Sequence, residues 1–259
     1  MGWKLGSAIL AGCVLVAGVL AVGVIASSAA DPSALWQIVH GLCVPDERAS
    51  HLPAPCAAVD LARGYAVLKD ERGATQVLVI PTARVGGIES AAVLAPSAPD
   101  YWQDAWEARR FVERYAHRAI PRDDIALAVN SIHGRSQNQL HIHVDCVAAG
   151  VRRALRADLA RIGPRWSRRS FDLAGRRYRA MWVAGADLGA RNPFALLADG
   201  DPAARAHMGL ETLALVGARR PDGTPGFVLL SDRADLAAGD NGHAESLMDH
   251  QCKVLSAPS

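Results

Sequence analysis

The sequence carries little net charge: 28 Lys and Arg stand against 26 Asp and Glu, leaving +2 at pH 7. Arginine is spread along the chain rather than gathered into a stripe, which excludes the basic face of a nucleic-acid binder. The densest basic cluster, RIGPRWSRRS at 161–170, reads as solvated surface, with contact to anionic lipid headgroups as the alternative. Nothing repeats at a solenoid period, so stacked-repeat architectures are excluded. Charge is wholly missing from Leu5 through Ala30. The segment AILAGCVLVAGVLAVGVIA within it is apolar all round and has no amphipathic face. About twenty such residues span a bilayer core. Lys4 and the terminal amine are the only early positive charges. The positive-inside rule keeps them in the cytoplasm and exports everything after Asp31. The small residues of ASSAA (26–30) would suit a cleaved signal peptide. The length of the apolar run favours an uncleaved anchor over residues 1–30.

Cysteine is also scarce, with five in the chain. Cys13 falls in the apolar segment. Cys43, Cys56, Cys146 and Cys252 remain, an even number in an exported domain, which suggests two disulfides. Three pairings are open. The preferred one joins Cys43 to Cys56 across a short Pro-containing loop, and Cys146 to Cys252, tying the C-terminus to the middle of the chain.

Half of the residues are hydrophobic, enough for a sizeable core. The spacing of Leu35, Ile38, Val39 and Leu42 predicts a helix with Asp31 as N-cap, and residues 47–60 read as a loop. GYAVLKD and TQVLVIPT predict a β-hairpin. The stretch 101–120, YWQDAWEARRFVERYAHRAI, is the clearest helix, its aromatic face packing on a sheet or lying near lipid headgroups. IALAVN and LHIHVDCV read as strands around the loop SIHGRSQNQ. Beyond Gly150 helix and hairpin signals recur: a helix in VRRALRADLARI, a hairpin in FDLAGRRYRAMWVA, and helix after Pro193. A second hairpin turns at Pro-Asp-Gly, and a short helix is predicted in AESLMDHQCKVL. The second half therefore reuses the vocabulary of the first.

Residues on a strand alternate faces. Gln139, His141, His143 and Asp145 thus form one polar row, while Leu140, Ile142, Val144 and Cys146 face a core. Such a row invites three readings. His-x-His-x-Asp resembles the metal motif of metallo-β-lactamase-like hydrolases, and a catalytic zinc would need a third ligand from His207, His243 or His250. Alternatively the row holds a nucleophilic histidine, or it binds a nucleotide without cleaving it.

The nucleophile reading accounts for more residues. GRSQNQLHIHV (134–144) resembles the histidine-triad superfamily of nucleotide hydrolases and transferases, whose motif is His-x-His-x-His on a strand after a Gly-x-Ser/Thr loop. Gly134 and Ser136 stand at the loop positions, and Gln139, His141 and His143 at the triad positions. Asn130 falls at the phosphate-loop asparagine, and VLVIPT (77–82) resembles the strand ending in an Ile-Pro pair. The departure is Gln139 in place of the first histidine. In the family that position's backbone carbonyl orients the middle histidine, a role glutamine keeps; the exchange bears on leaving-group protonation.

Together with the apolar N-terminus, GYAVLKD, VNSIHGRSQNQLHIHVDC, HMG (207–209) and DHQC (249–252) resemble bacterial CDP-diacylglycerol pyrophosphatases over nearly all of the chain after the anchor. The resemblance implies an α+β fold, a histidine-triad-like antiparallel sheet with packed helices, and allows two similar halves. Residues 31–150 would be catalytic and 151–259 would pack on them. It implies hydrolysis of CDP-diacylglycerol, held in the bilayer, to CMP and phosphatidate. It also implies a single-pass protein of the bacterial inner membrane with its catalytic part in the periplasm, without a cofactor, as monomer or homodimer. His141 would attack the cytidine-linked phosphorus. His143, Asn130, Ser136 and Gln139 would donate hydrogen bonds to the phosphoryl oxygens. His133, His207 and His250 are further candidates, and Asp145 would support the row. A zinc-dependent hydrolase and a non-catalytic membrane-anchored nucleotide-binding protein remain the alternatives.

Overall fold

A computed structural model describes residues 1–2 and 31–256. The expected anchor lies outside the described residues. Among those described, no helix is long and apolar enough to cross a membrane.

Ten strands form one sheet: β1 (Ala58–Asp60), β2 (Tyr65–Lys69), β3 (Val77–Pro81), β4 (Ile125–Val129), β5 (Ile142–Val147), β6 (Phe171–Leu173), β7 (Arg176–Ala184), β8 (Glu211–Arg219), β9 (Pro225–Arg233) and β10 (Met248–Asp249). Their order is β1-β2-β3-β5-β4-β8-β9-β7-β6, with β10 added beside β5. Every pairing is antiparallel. The helices are α1 (Ala34–Ile38), α2 (Val44–Ser50), α3 (Tyr101–Tyr115), α4 (Ala149–Asp158), α5 (Pro193–Gly200) and α6 (Pro202–Ala206).

The order contains a repeat. In β2-β3-β5-β4 the helix α3 lies between β3 and β4 in sequence; in β6-β7-β9-β8 the helices α5 and α6 lie between β7 and β8. The two blocks join edge to edge where β4 pairs with β8, Ala128 opposite Ala214. Apolar strands account for the joint: β4 is buried throughout and β8 is buried from Glu211 to Ala218. Strands buried on both faces read as continuous apolar runs rather than alternating ones.

The aromatic stripe of α3 packs inward, with Trp102 and Trp106 only 2% and 3% exposed. Trp102 meets Phe194 of α5 edge-on at 5.4 Å, and Trp106 meets Phe227 of β9 at 4.8 Å. These indoles link the two blocks, so the stripe packs inward on the sheet, as its spacing predicts, and does not lie near lipid headgroups. A second cluster sits on the other side of β2 and β3. There Ala66, Leu68, Leu78 and Ile80 pack against Leu35, Val39 and Val44 of the N-terminal helices.

Three local expectations are corrected. The N-terminal helix runs past residue 47 to Ser50, through a π-turn at Val39–Cys43. Pro45 follows that turn, and proline has no N–H to continue an i→i−4 ladder. Its N-cap position is Ser33, and Asp31 instead accepts from the Ser33 N–H at 2.8 Å. The stretch AESLMDHQCKVL is not one helix. It is a 3₁₀ turn (Ala244–Leu247), then β10, then another 3₁₀ turn (Lys253–Ser256). Pairing of Met248 and Asp249 with Val147 and Cys146 draws its middle into the sheet.

Disulfides join Cys43 to Cys56 and Cys146 to Cys252. The first closes the N-terminal helices onto the loop before β1. The second fastens the C-terminal segment to β5.

Candidate active site

His141 and His143 lie where β5 begins, with their rings edge to face at 4.9 Å. Leu140, Ile142, Val144 and Cys146 point into the main core. The strand alternation therefore throws both imidazoles to the opposite face, the side on which α1 and α2 lie. Between that helix and the sheet opens a cavity of about 470 Å³. Leu35, Ile38, Leu68 and Leu78 make one wall apolar. The remainder is polar and includes Asp70, Arg72, Asn130, Arg135, Ser136, His141, His143, His243 and Glu245. The size suits a small-molecule ligand.

His141 faces the backbone oxygen of Gln139 through Nδ1 at 2.7 Å. A carbonyl cannot donate, so Nδ1 carries the hydrogen and Nε2 keeps its lone pair. Burial pulls the His141 pKa down, partly opposed by that hydrogen bond, which favours the neutral ring. Among the described residues, Nε2 has no hydrogen-bond partner.

His143 is more tightly enclosed. Its Nδ1 faces the Gln76 amide at 3.0 Å, and its Nε2 faces the Asn130 amide at 3.5 Å. Burial, then the neighbouring His141, push its pKa down to about 3.

The remaining expected residues divide. Asn130 is buried, and its Oδ1 accepts from the Glu245 backbone N–H at 3.2 Å. Ser136 is exposed on the cavity wall. The Gln139 side chain turns away from the cavity. Its amide donates to Pro81 O at 3.0 Å and Ala83 O at 2.8 Å, and its oxygen accepts from Val85 N–H at 3.3 Å. Those bonds use both amide hydrogens, so none is left for a phosphoryl oxygen; its backbone carbonyl is the part that meets the row. His133 and His207 are exposed and do not line the cavity. His250 reaches the site through other side chains. Its Nδ1 lies 2.9 Å from Asp145 Oδ2, and its Nε2 lies 3.4 Å from Glu245 Oε1. Asp145 also accepts from Thr75 at 2.7 Å. The bond to Asp145 raises the His250 pKa and so favours its charged form.

Glu245, from the 3₁₀ turn after β9, is the residue that sequence reasoning missed. It is 3% exposed. Oε1 accepts from Gln76 at 3.1 Å and lies 3.6 Å from His143; Oε2 lies 3.3 Å from His243. Burial opposes its charge, but the His243 and Gln76 hydrogen bonds and the neighbouring His143 hold its pKa well below the ordinary carboxylate range. A Glu two residues after a His, in a segment with no periodicity, carries no sequence signal of this role.

Two sets of metal-ligand types converge among the described residues: Asp70, His143 and Glu245, and Asp145, Cys146 and Cys252. The sulfurs of the second set are bonded to each other. In the first, the Gln76 amide nitrogen lies among the three, 2.5 Å from Asp70, 3.0 Å from His143 and 3.1 Å from Glu245. An amide donor thus stands where a cation would have to sit. Neither set contains His141, so the convergence that the zinc reading required does not occur.

The family model of CDP-diacylglycerol pyrophosphatase matches residues 30–256. A CDP-diacylglycerol pyrophosphatase of Yersinia pestis is 40% identical over 222 residues, 86% of this chain and 84% of that protein.

Proposed function

The chain belongs to the CDP-diacylglycerol pyrophosphatase family and hydrolyses the diphosphate of CDP-diacylglycerol; we propose that it does so in two displacements through a cytidylyl-histidine. One observation carries this reading. His141 is neutral, its Nδ1 hydrogen is committed to Gln139 O, and its Nε2 lone pair is unused at the cavity. A neutral imidazole is a good nucleophile for phosphorus near neutral pH.

In the first displacement Nε2 of His141 bonds to the cytidine-linked phosphorus. The bond to the bridging oxygen breaks, and phosphatidate leaves with the electron pair. In the second, water attacks the same phosphorus, the P–N bond breaks, and CMP departs. The amide of Asn130 and the hydroxyl of Ser136 are the donors available to the phosphoryl oxygens as charge builds there. Lys69, Arg72 and Arg135 line the same cavity and favour an anionic substrate. The apolar wall of Leu35, Ile38, Leu68 and Leu78 receives the glycerolipid end.

The architecture is read as histidine-triad-like, with residues 31–150 as the catalytic half and 151–259 as a second half of the same topology. The recurring strand order supports this, and the β4–β8 joint supports a monomer, because the second half occupies the edge a partner would otherwise use. Residues 1–30 act as a single inner-membrane anchor with the catalytic part in the periplasm. The charge-free run and the two disulfides support that placement.

The test is the stereochemical course. CDP-diacylglycerol made chiral at the cytidine-linked phosphorus with sulfur and an oxygen isotope is hydrolysed by the detergent-solubilised protein in labelled water. Two displacements give retention of configuration, and inversion would refute the covalent reading. His141→Ala is expected to abolish CMP release while leaving the thermal transition in place.

A further inference from the structure

Hydrolysis of the cytidylyl-histidine produces a proton that needs an acceptor. His141 cannot be that acceptor, since its Nδ1 hydrogen is engaged and its Nε2 is the departing atom. Four histidines meet at this end of the cavity, so three others compete. His143 has amides against both ring nitrogens, and its pKa of about 3 makes it a weak base. His250 has carboxylates at both nitrogens and does not line the cavity.

His243 differs from both. It lines the cavity with 30% of its side chain exposed. Its Nε2 is tied to Glu245 Oε2 at 3.3 Å, and its Nδ1 has no hydrogen-bond partner among the described residues. A carboxylate acceptor at Nε2 fixes the hydrogen there and leaves the lone pair on Nδ1. This is the arrangement of a base oriented by a buried acid, as in hydrolytic triads. Glu245 is itself held in place by the Gln76 amide at one oxygen and by the Asn130 side chain at its backbone N–H.

We infer that His243, positioned by Glu245, is the general base for the second displacement. Water donates one proton to Nδ1 of His243 as its oxygen bonds to phosphorus. The P–N bond breaks, the electron pair returns to Nε2 of His141, and CMP is released. The imidazolium of His243 then loses its proton to solvent, for which its partial exposure provides a route. The inference rests on the cytidylyl-histidine reading above.

The experiment follows the intermediate. Full-length protein in detergent is mixed with CDP-diacylglycerol labelled with ³²P at the cytidine-linked phosphate and quenched on the millisecond scale. In His243→Ala, label is expected on the protein at the wild-type rate and then to accumulate toward one per active site. Steady-state CMP release falls by about 100-fold, the lower end for a lost general base. Hydroxylamine, which attacks without needing its proton removed, restores breakdown of the labelled protein. Glu245→Gln gives the same accumulation and the same rescue, which a merely structural loss would not. His243→Ala that turns over at the wild-type rate without accumulating label overturns the inference. So does His243→Ala that loses label formation and CMP release in equal proportion. Inversion at phosphorus in the wild type removes the covalent reading itself, whereas retention together with unimpaired His243→Ala removes only the base.

Discussion

Truncating Gln139 to alanine separates two roles that the first position of the histidine row could play. The side chain is fully buried and spends itself on backbone: Pro81 O at 3.0 Å, Ala83 O at 2.8 Å and Val85 N–H at 3.3 Å. Those contacts tie the exit of β3 to the start of the row. Each contributes about 1 kcal/mol net, and truncation leaves buried backbone groups unpaired, so the total loss is about 3 kcal/mol. In urea this is a drop of about 1 M in the midpoint for a chain of this size. The contact that orients the proposed nucleophile, from His141 Nδ1 to Gln139 O at 2.7 Å, is made by backbone and survives. Gln139→Ala should therefore unfold earlier yet keep its kcat within about threefold of wild type, since no transition-state contact has been removed. The measurements are a urea titration followed by tryptophan fluorescence, and initial rates of CMP release at a temperature where the variant is folded. A variant with an unchanged midpoint and a kcat reduced 100-fold would refute this reasoning and give the amide to the phosphoryl oxygens instead.

The same geometry sets four further outcomes. Cys146 and Cys252 lie 106 residues apart, so Cys252→Ser should lower stability by about 4–5 kcal/mol and lower activity as well, because the freed segment carries His243, Glu245 and His250. Cys43→Ser, closing only a 13-residue separation, should cost less on both counts in thermal unfolding and CMP release. A Cβ at Gly134 would fall 2.4 Å from Gly242 O; Gly134→Ala should part the Ser136 loop from the C-terminal segment and destabilise by about 1–3 kcal/mol, read as a lowered midpoint with a raised KM. For pH, the folded state refuses His143 a proton until about 3 whereas the ordinary value is 6.5, so the unfolded state binds more protons in between and stability falls as pH drops through that window. Glu245, held below 4.5, acts in the same sense as pH falls, while Asp145, raised by burial, and His250, raised by its bond to Asp145, offset part of it. Urea midpoints at pH 7, 5.5 and 4.5 should decline, with a shallower decline in His143→Gln; a midpoint constant across the range would contradict the buried neutral His143.

What could be read from the chain was local. The period-two alternation around His141 and His143 places the row on one face because one-residue spacing on a strand leaves little freedom. The aromatic spacing from Trp102 to Tyr115 specifies a helix that must bury one side, and it does. What could not be read was long-range and aperiodic. Glu245 meets Asn130 across 115 residues and Gln76 across 169, and its 3₁₀ turn has no pattern by which to place it. The orientation of the Gln139 side chain was equally hidden. Strand alternation fixes the face toward which a Cβ points, but not which of several nearby backbone groups a long amide will bind.

The sheet also explains why one site is present and not two. If β5 and β9 are topological counterparts, a histidine row would be expected on both, yet β6 to β9 contain no histidine at all. The strand β9 carries PGFVLLSDR, buried from Gly226 to Ser231. The chain leaving β9 does not stay with its own block. It crosses at Asn241 and Gly242, where Ser131 bonds to both backbone carbonyls, and then adds β10 beside β5. The chain of the second block thus lends its C-terminal segment to the first and brings His243, Glu245 and His250 to a row the second block lacks. A simple pair of identical halves would have to repeat that crossing symmetrically to build two sites. With both blocks in one chain the crossing need occur only once, so the first block can hold the proposed nucleophile while the second provides the residues proposed to position it and handle its protons.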